Sequence, residues 1–111
     1  MEDREIESEI QAKGLTAPRV TPQRIEDVIA EEYFFTADAA LKGTPGETSS
    51  ACRLLTFCVL VLKNGFTVTG ESACASPENF DKELGQKIAR KHATDKIWAL
   101  EGYALKERLA A

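Results

Sequence analysis

The amino-acid sequence predicts an α+β fold in one small domain: a helix, a β-hairpin, and a long helix with a bent C-terminal extension. Three observations predict it. Two apolar runs flank Asn64-Gly65, and Asn-Gly between such runs is the strongest short-range hairpin signal, because a type I′ turn needs positive φ at both central residues. Ser76-Pro77-Glu78-Asn79 follows the second run at once and reads as a helix start. Thr21-Pro22 reads as an earlier one. A length of 111 residues suits a single domain.

Residues 1–14 are rich in glutamate, with only Ile6 and Ile10 at helical spacing and Gly14 placed to end a short helix. Two apolar residues bury little surface, so these residues are expected to form a mobile acidic arm ahead of a domain spanning 15–111. Leu15 to Thr21 contains Pro18 and is expected to run extended. In the helix opened by Thr21, Glu26 and Asp27 lie near the positive end. Ile25, Val28, Ile29 and Tyr33 line one stripe that would pack on a sheet, and Tyr33-Phe34-Phe35 would end the helix and anchor it. Residues 37–51 hold a short helical turn and then Gly43-Thr-Pro-Gly-Glu-Thr-Ser-Ser50, a linker composition, and are expected to be a flexible loop.

With Asn64-Gly65 as a two-residue turn, Lys63 opposes Phe66, Val61 opposes Val68, Val59 opposes Gly70 and Phe57 opposes Ser72. Opposed residues share a face. One face then carries Phe57, Val59, Val61, Phe66 and Val68 and is expected to pack on the helices. The other carries Cys58, Leu60 and Leu62 against Thr67, Thr69 and Glu71. A bare hairpin is marginal in water, so Cys58, Leu60 and Leu62 need a cover: a third strand, the N-terminal segment or another subunit. In so short a chain a subunit contact is favoured, with Leu15–Val20 or the aromatic cluster as the within-chain alternative. Cys58, Leu60, Leu62, Thr67, Thr69 and Glu71 are therefore the candidate partner or oligomer interface, and a homo-oligomer is expected.

Ser76 would cap the main helix, with Pro77 first and Glu78 and Asp81 in its first turn. Phe80, Leu84 and Ile88 line one face, and Gly85 offers close approach to the sheet. The pattern continues through Ile97 and Trp98 to Leu109, with a bend expected between Ala93 and Gly102.

The net charge of −4 argues against a general nucleic-acid binder. The longest apolar stretch, Leu54–Leu62, is too short to span a bilayer, and the charged N-terminus lacks the features of a signal peptide. The expected location is the cytoplasm. Cys52, Cys58 and Cys74 are then expected to be reduced thiols. They form no C-x-x-C pair and His92 is the sole histidine, so no metal site or cofactor is expected.

The chain resembles a family of short tailed-phage accessory proteins named after gene forty-nine of one phage and gene sixty-six of another. The resemblance lies in Gly14–Pro22, Leu55–Leu60, Lys63–Cys74, Ser76–Asp81 and Ile97–Leu100. Related chains often carry proline after the tryptophan; this one has Ala99, which weakens the signal for a sharp bend. The resemblance implies a phage or prophage origin and an accessory role in the infected bacterial cell. It supplies no catalytic residues.

Glu71, His92 and Asp95, with Cys58 or Cys74 as nucleophile, are the residues a catalytic reading would use, but no P-loop, dinucleotide fingerprint or triad signature is present. The expectation is a non-enzyme. Ser76 and Asn79 at a helix start, with Lys63, Lys87, Arg90 or Lys91 supplying charge if an oligomer brings them together, form a candidate anion-binding set. The plainer reading makes them helix caps and a solvated face. Non-catalytic binding of a host protein is the leading expectation. Sequestration of a nucleotide immune signal by an oligomer is the alternative, and modulation of phage DNA metabolism a third.

Overall fold

A computed structural model of the chain describes residues 2–46 and 49–111. In order it contains helix α1 (Asp3–Ala12), helix α2 (Pro22–Asp27), strand β1 (Ile29–Thr36), the short helix α3 (Ala37–Ala40), strands β2 (Leu55–Leu62) and β3 (Thr67–Ala73), and helix α4 (Lys82–Ala110). Single 3₁₀ turns at Ser50–Leu54 and Pro77–Asn79 precede β2 and α4. The sheet is antiparallel in the order β1-β2-β3, and α4 lies across β2 and β3. The α+β architecture expected from the sequence is present, with one strand more than expected.

That strand is β1. The helix opened by Thr21, whose hydroxyl accepts from the Arg24 N–H at 3.1 Å, stops at Asp27 rather than running to the aromatic cluster. Ile25 and Val28 are buried as the helical stripe requires, but Ile29 and Tyr33 belong to the strand. Ile29, Tyr33, Phe34, Phe35 and Thr36 are β-branched or aromatic, types that fit a pleated, half-buried surface. Without β1, one side of β2 would present unpaired backbone groups. The strand lies beside β2 in the sheet, while the cover over Cys58, Leu60 and Leu62 comes from α2 and α4 of the same chain.

The hairpin turn differs as well. Gly65 N–H donates to the Leu62 carbonyl (2.8 Å) and Leu62 N–H to the Phe66 carbonyl (2.8 Å), enclosing a three-residue loop. Only Gly65 has positive φ (+89°), so Asn64 is not in the conformation a type I′ turn demands. Asn64 instead accepts the Phe66 N–H on its side chain at 3.0 Å. This is a type I turn followed by a glycine bulge, and it moves β3 by one residue relative to the two-residue expectation. Leu60 now opposes Val68, Cys58 opposes Gly70 and Phe57 opposes Glu71.

A one-residue slip sends every side chain of the shifted strand to the other face. The buried face is consequently Thr56, Cys58, Leu60 and Leu62 with Val68 and Gly70. Cys58 and Leu60 are 0% exposed, and burying a leucine fully contributes about 2 kcal/mol. The expectation that Phe57, Val59, Val61 and Phe66 would face the helices is corrected: Phe66 is exposed, and the other three lie half-buried on the opposite side.

The buried face of α4 is Ala89, Ala93 and Ile97, not Phe80, Leu84 and Ile88. Small residues are needed because the helix sits close to the sheet. Gly85 packs against Thr56, as expected of a close approach: a Cβ there would lie 3.1 Å from the Thr56 Oγ1. The N-cap is Asp81, which accepts the Leu84 N–H at 3.0 Å; Ser76 makes no capping bond. The helix continues as one element through Gly102 to Ala110, so the C-terminal extension is part of the same helix. Ala99 keeps its backbone N–H, and a glycine costs a helix only about 1 kcal/mol. At 1.5 Å per residue α4 is roughly 43 Å long, which accounts for the 55 × 30 × 17 Å shape of the chain.

Helix α1 has no buried residue and is held by polar contacts. Arg19 pairs with Glu7 (Nη2–Oε2 2.6 Å), and Trp98 Nε1 donates to Asp3 at 3.3 Å. Of the loop expected over 37–51, residues 37–40 are helical and 50–51 lie in the 3₁₀ turn, while 47–48 lie outside the described residues.

Candidate functional site

Only one face of the sheet is covered by α4. Along β2 the burial alternates strictly, with even-numbered residues buried and odd-numbered ones half-buried. The odd-numbered set shares its face with Glu31, Tyr33 and Phe35 of β1 and with Thr67, Thr69 and Glu71 of β3. No element among the described residues closes this side.

The centre of the open face is apolar. Phe35 lies directly opposite Phe57, their rings stacked with centroids 5.5 Å apart and planes 22° from parallel. Tyr33 lies opposite Val59, and Glu31 opposite Val61. Tyr33 is 53% and Phe35 37% exposed. Contiguous apolar surface of this kind marks interaction sites more often than scattered single residues do. The margins are acidic. The Tyr33 hydroxyl donates to Glu31 at 3.2 Å, and that bond to a carboxylate raises the phenol above its ordinary pKa. Glu71 stands exposed on the β3 side.

The candidate interface residues divide between two faces. Thr67, Thr69 and Glu71 lie exposed on the open face. Cys58, Leu60 and Leu62 lie in the core with Ile25, Val28, Ala89, Ala93 and Ile97, so their cover comes from within the chain and not from a subunit. Burial, and secondly the charge of Glu32, pushes the Cys58 thiol up, which leaves it a small buried hydrophobe rather than a nucleophile. Cys74 donates its thiol to the Ser76 carbonyl at 3.1 Å.

Within one chain the candidate anion set is not brought together. Asn79 borders a small recess with Phe80, Leu84 and Cys74, whereas Lys87, Arg90 and Lys91 border a separate cleft of about 1020 Å³ between α1, α2 and α4. At the start of α4 the Leu84 N–H already donates to the Asp81 carboxylate. Arg90 is committed: its guanidinium holds Glu26 through two bonds of 3.0 and 2.8 Å and Glu32 through a third of 3.0 Å. The bonds from Arg90 hold Glu26 below the usual carboxylate range, and Glu26 with Glu32 raises Arg90. Lys91 pairs with Asp95 one turn along. Glu2, Asp3, Glu5, Glu7 and Glu26 line the same cleft and outnumber its cations.

Phe35, Tyr33 and Gly70 were not among the candidate site residues read from the sequence. The signal for the first two was present in the run Tyr33-Phe34-Phe35-Thr36, a strand composition at the end of a short helical stripe. Gly70 matters through tertiary packing alone.

A family model described as phage protein (N4 Gp49/phage Sf6 gene 66) matches residues 20–109. The chain belongs to this phage protein family. The match takes in every strand and all of the helices except α1, with the last residue of α4 falling outside it. No curated protein and no solved structure matches the chain. As a member of this phage family it carries no helix, among the described residues, long and apolar enough to cross a membrane.

Proposed function

We propose that this phage protein is an accessory factor that works by non-catalytic binding of a host protein through the open face of its sheet. The observation that supports the reading is the uncovered strip Tyr33, Phe35, Phe57, Val59 and Val61, backed by a rigid core and edged by Glu31 and Glu71. Stacked aromatic side chains supply large contact area at low entropic cost, and an acidic rim selects partners whose apolar patch is bordered by lysine or arginine. The site of action implied by a phage origin is the cytoplasm of the infected bacterium.

The acidic surplus in the α1–α4 cleft and the commitment of Arg90 are the reasons this reading is placed ahead of nucleotide sequestration. Tagged protein incubated with host lysate should retain a partner that Phe57→Glu and Val59→Glu both release, while the thermal melt of each variant stays near that of the parent. Retention of the same partner by both variants would sink the assignment to this face. Calorimetry against linear and cyclic nucleotides should give no heat of binding; a saturable heat would favour the nucleotide reading instead.

A further inference from the structure

The sheet has two edges, and they are not alike. Leu62 N–H donates to Phe66 and Cys74 N–H to Leu54, at 2.8 and 2.9 Å. Bonding in an antiparallel pair alternates along each strand, so the even-numbered residues of β3 turn their backbone groups toward β2. Thr67, Thr69, Glu71 and Ala73 turn theirs outward, to the free edge. His92 Nδ1 confirms the direction: it donates to the outward carbonyl of Glu71 at 2.7 Å, using one of that oxygen's two lone pairs.

Native edges are normally protected by bulges, prolines or charges. The β1 edge has a bulge at Ala30, and its neighbouring residues are Glu31 and Glu32. The β3 edge has no bulge, no proline and no lysine over its seven residues, and Glu71 is its single charge. Beside it runs an apolar flank of α4. Ile88 and Leu84 lie one and two turns before His92 on the same side of the helix and are 39% and 55% exposed.

We propose that two copies of this chain pair through β3, antiparallel and two-fold symmetric about Gly70, to form one continuous six-stranded sheet. The occupant of the edge is a second copy because the strand complements itself in this register. Thr69 of one copy and Glu71 of the other are then directly opposed, and their outward N–H and C=O groups exchange bonds. The register centred one residue later would instead oppose Glu71 to itself, a like-charge pair. A strand edge alone falls short of the roughly 1,200 Å² that stable interfaces bury. The flanks of the two α4 helices, brought side by side across the same axis, are therefore part of the contact, and Ile88 is its apolar anchor. The inference does not depend on the proposed partner surface: both open faces end on one side of the extended sheet and remain free.

Light scattering on the full chain should give twice the 12.2 kDa chain mass at concentrations near ~100 μM. Amides of Thr67, Thr69 and Glu71 should exchange at least about 10-fold more slowly there than after dilution to monomer. Thr69→Pro removes an N–H that turns outward from the sheet and blocks the edge, a position where proline is tolerated. It should give a folded monomer, as should Ile88→Glu, while Val59→Glu leaves the dimer intact. A monomeric mass for the parent protein overturns the proposal. So does a dimer whose Thr69 and Glu71 amides exchange freely, or one that Val59→Glu dissociates and Ile88→Glu does not.

Discussion

Gly70 lies so close beneath α4 that a Cβ on it would sit 2.1 Å from the carbonyl oxygen of Ala89 and 2.4 Å from the backbone nitrogen of Ala93. Both obstacles are helix backbone, which cannot rotate aside as a side chain can. The pair of alanines and the glycine together set the distance between helix and sheet. Gly70→Ala should therefore lower stability by about 3 kcal/mol, the upper range for overpacking. The measurement is urea unfolding followed by circular dichroism. Gly102→Ala, at a position with open space around it, should be neutral or slightly stabilising.

The hairpin register makes a sharp contrast between neighbouring residues. Leu60→Glu places a carboxylate at a site with 0% exposure among apolar core residues, so the variant should be unfolded or lose several kcal/mol. Val59→Glu, one residue away on the open face, should cost no more than about 1 kcal/mol. Equal tolerance of the two would mean that the faces have been exchanged.

Arg90 ties α4 to α2 through Glu26 and to β1 through Glu32. Both carboxylates are more than a third exposed, so solvent screens much of the attraction. Arg90→Met, which keeps the length of the side chain, should cost about 1 kcal/mol at low salt and much less in 1 M NaCl. A loss independent of salt would mean that Arg90 acts through packing.

Glu7 is held by Arg19, first through their hydrogen bonds, at a pKa of about 2 against an ordinary 4.5. A depressed carboxylate contributes fully above the ordinary value and loses its contribution as pH falls toward the folded one. Docking of α1 should thus weaken as pH drops from about 4.5 toward 2. Trp98, the single tryptophan, donates to Asp3 of α1 and reports the event by its emission. Glu7→Gln should remove most of the acid step; an unchanged titration in that variant would show that another group holds the helix.

Much of this molecule can be read from local signals. Thr21-Pro22 starts a helix, as read, and Asn64-Gly65 marks a hairpin, because caps and turns depend on a few adjacent residues. The face assignment failed at one detail: Asn64-Gly65 served a three-residue loop rather than a two-residue one, and strand periodicity turned that single step into an exchange of faces. The six candidate interface residues were divided by the same step, which put Leu60 in the core and Thr69 on the surface. The anion set is divided within one chain for a different reason. Charge and helical spacing were visible, but the partners that neutralise Arg90 come from residues 58 and 64 positions away in the chain.

The sequence by itself determined the class of fold, the existence of the hairpin and the long helix, and the family, because these rest on composition, turn residues and contiguous motifs. Only the tertiary structure decided that Ile29–Thr36 is a strand, that α4 is unbroken, and which side of the sheet is left open. Those outcomes depend on pairing between distant segments. The backbone groups of β2 must be satisfied on both sides, and the close seat of α4 over Gly70 admits small residues on one face alone. The apolar strip around Phe35 and Phe57 is what remains uncovered once both demands are met.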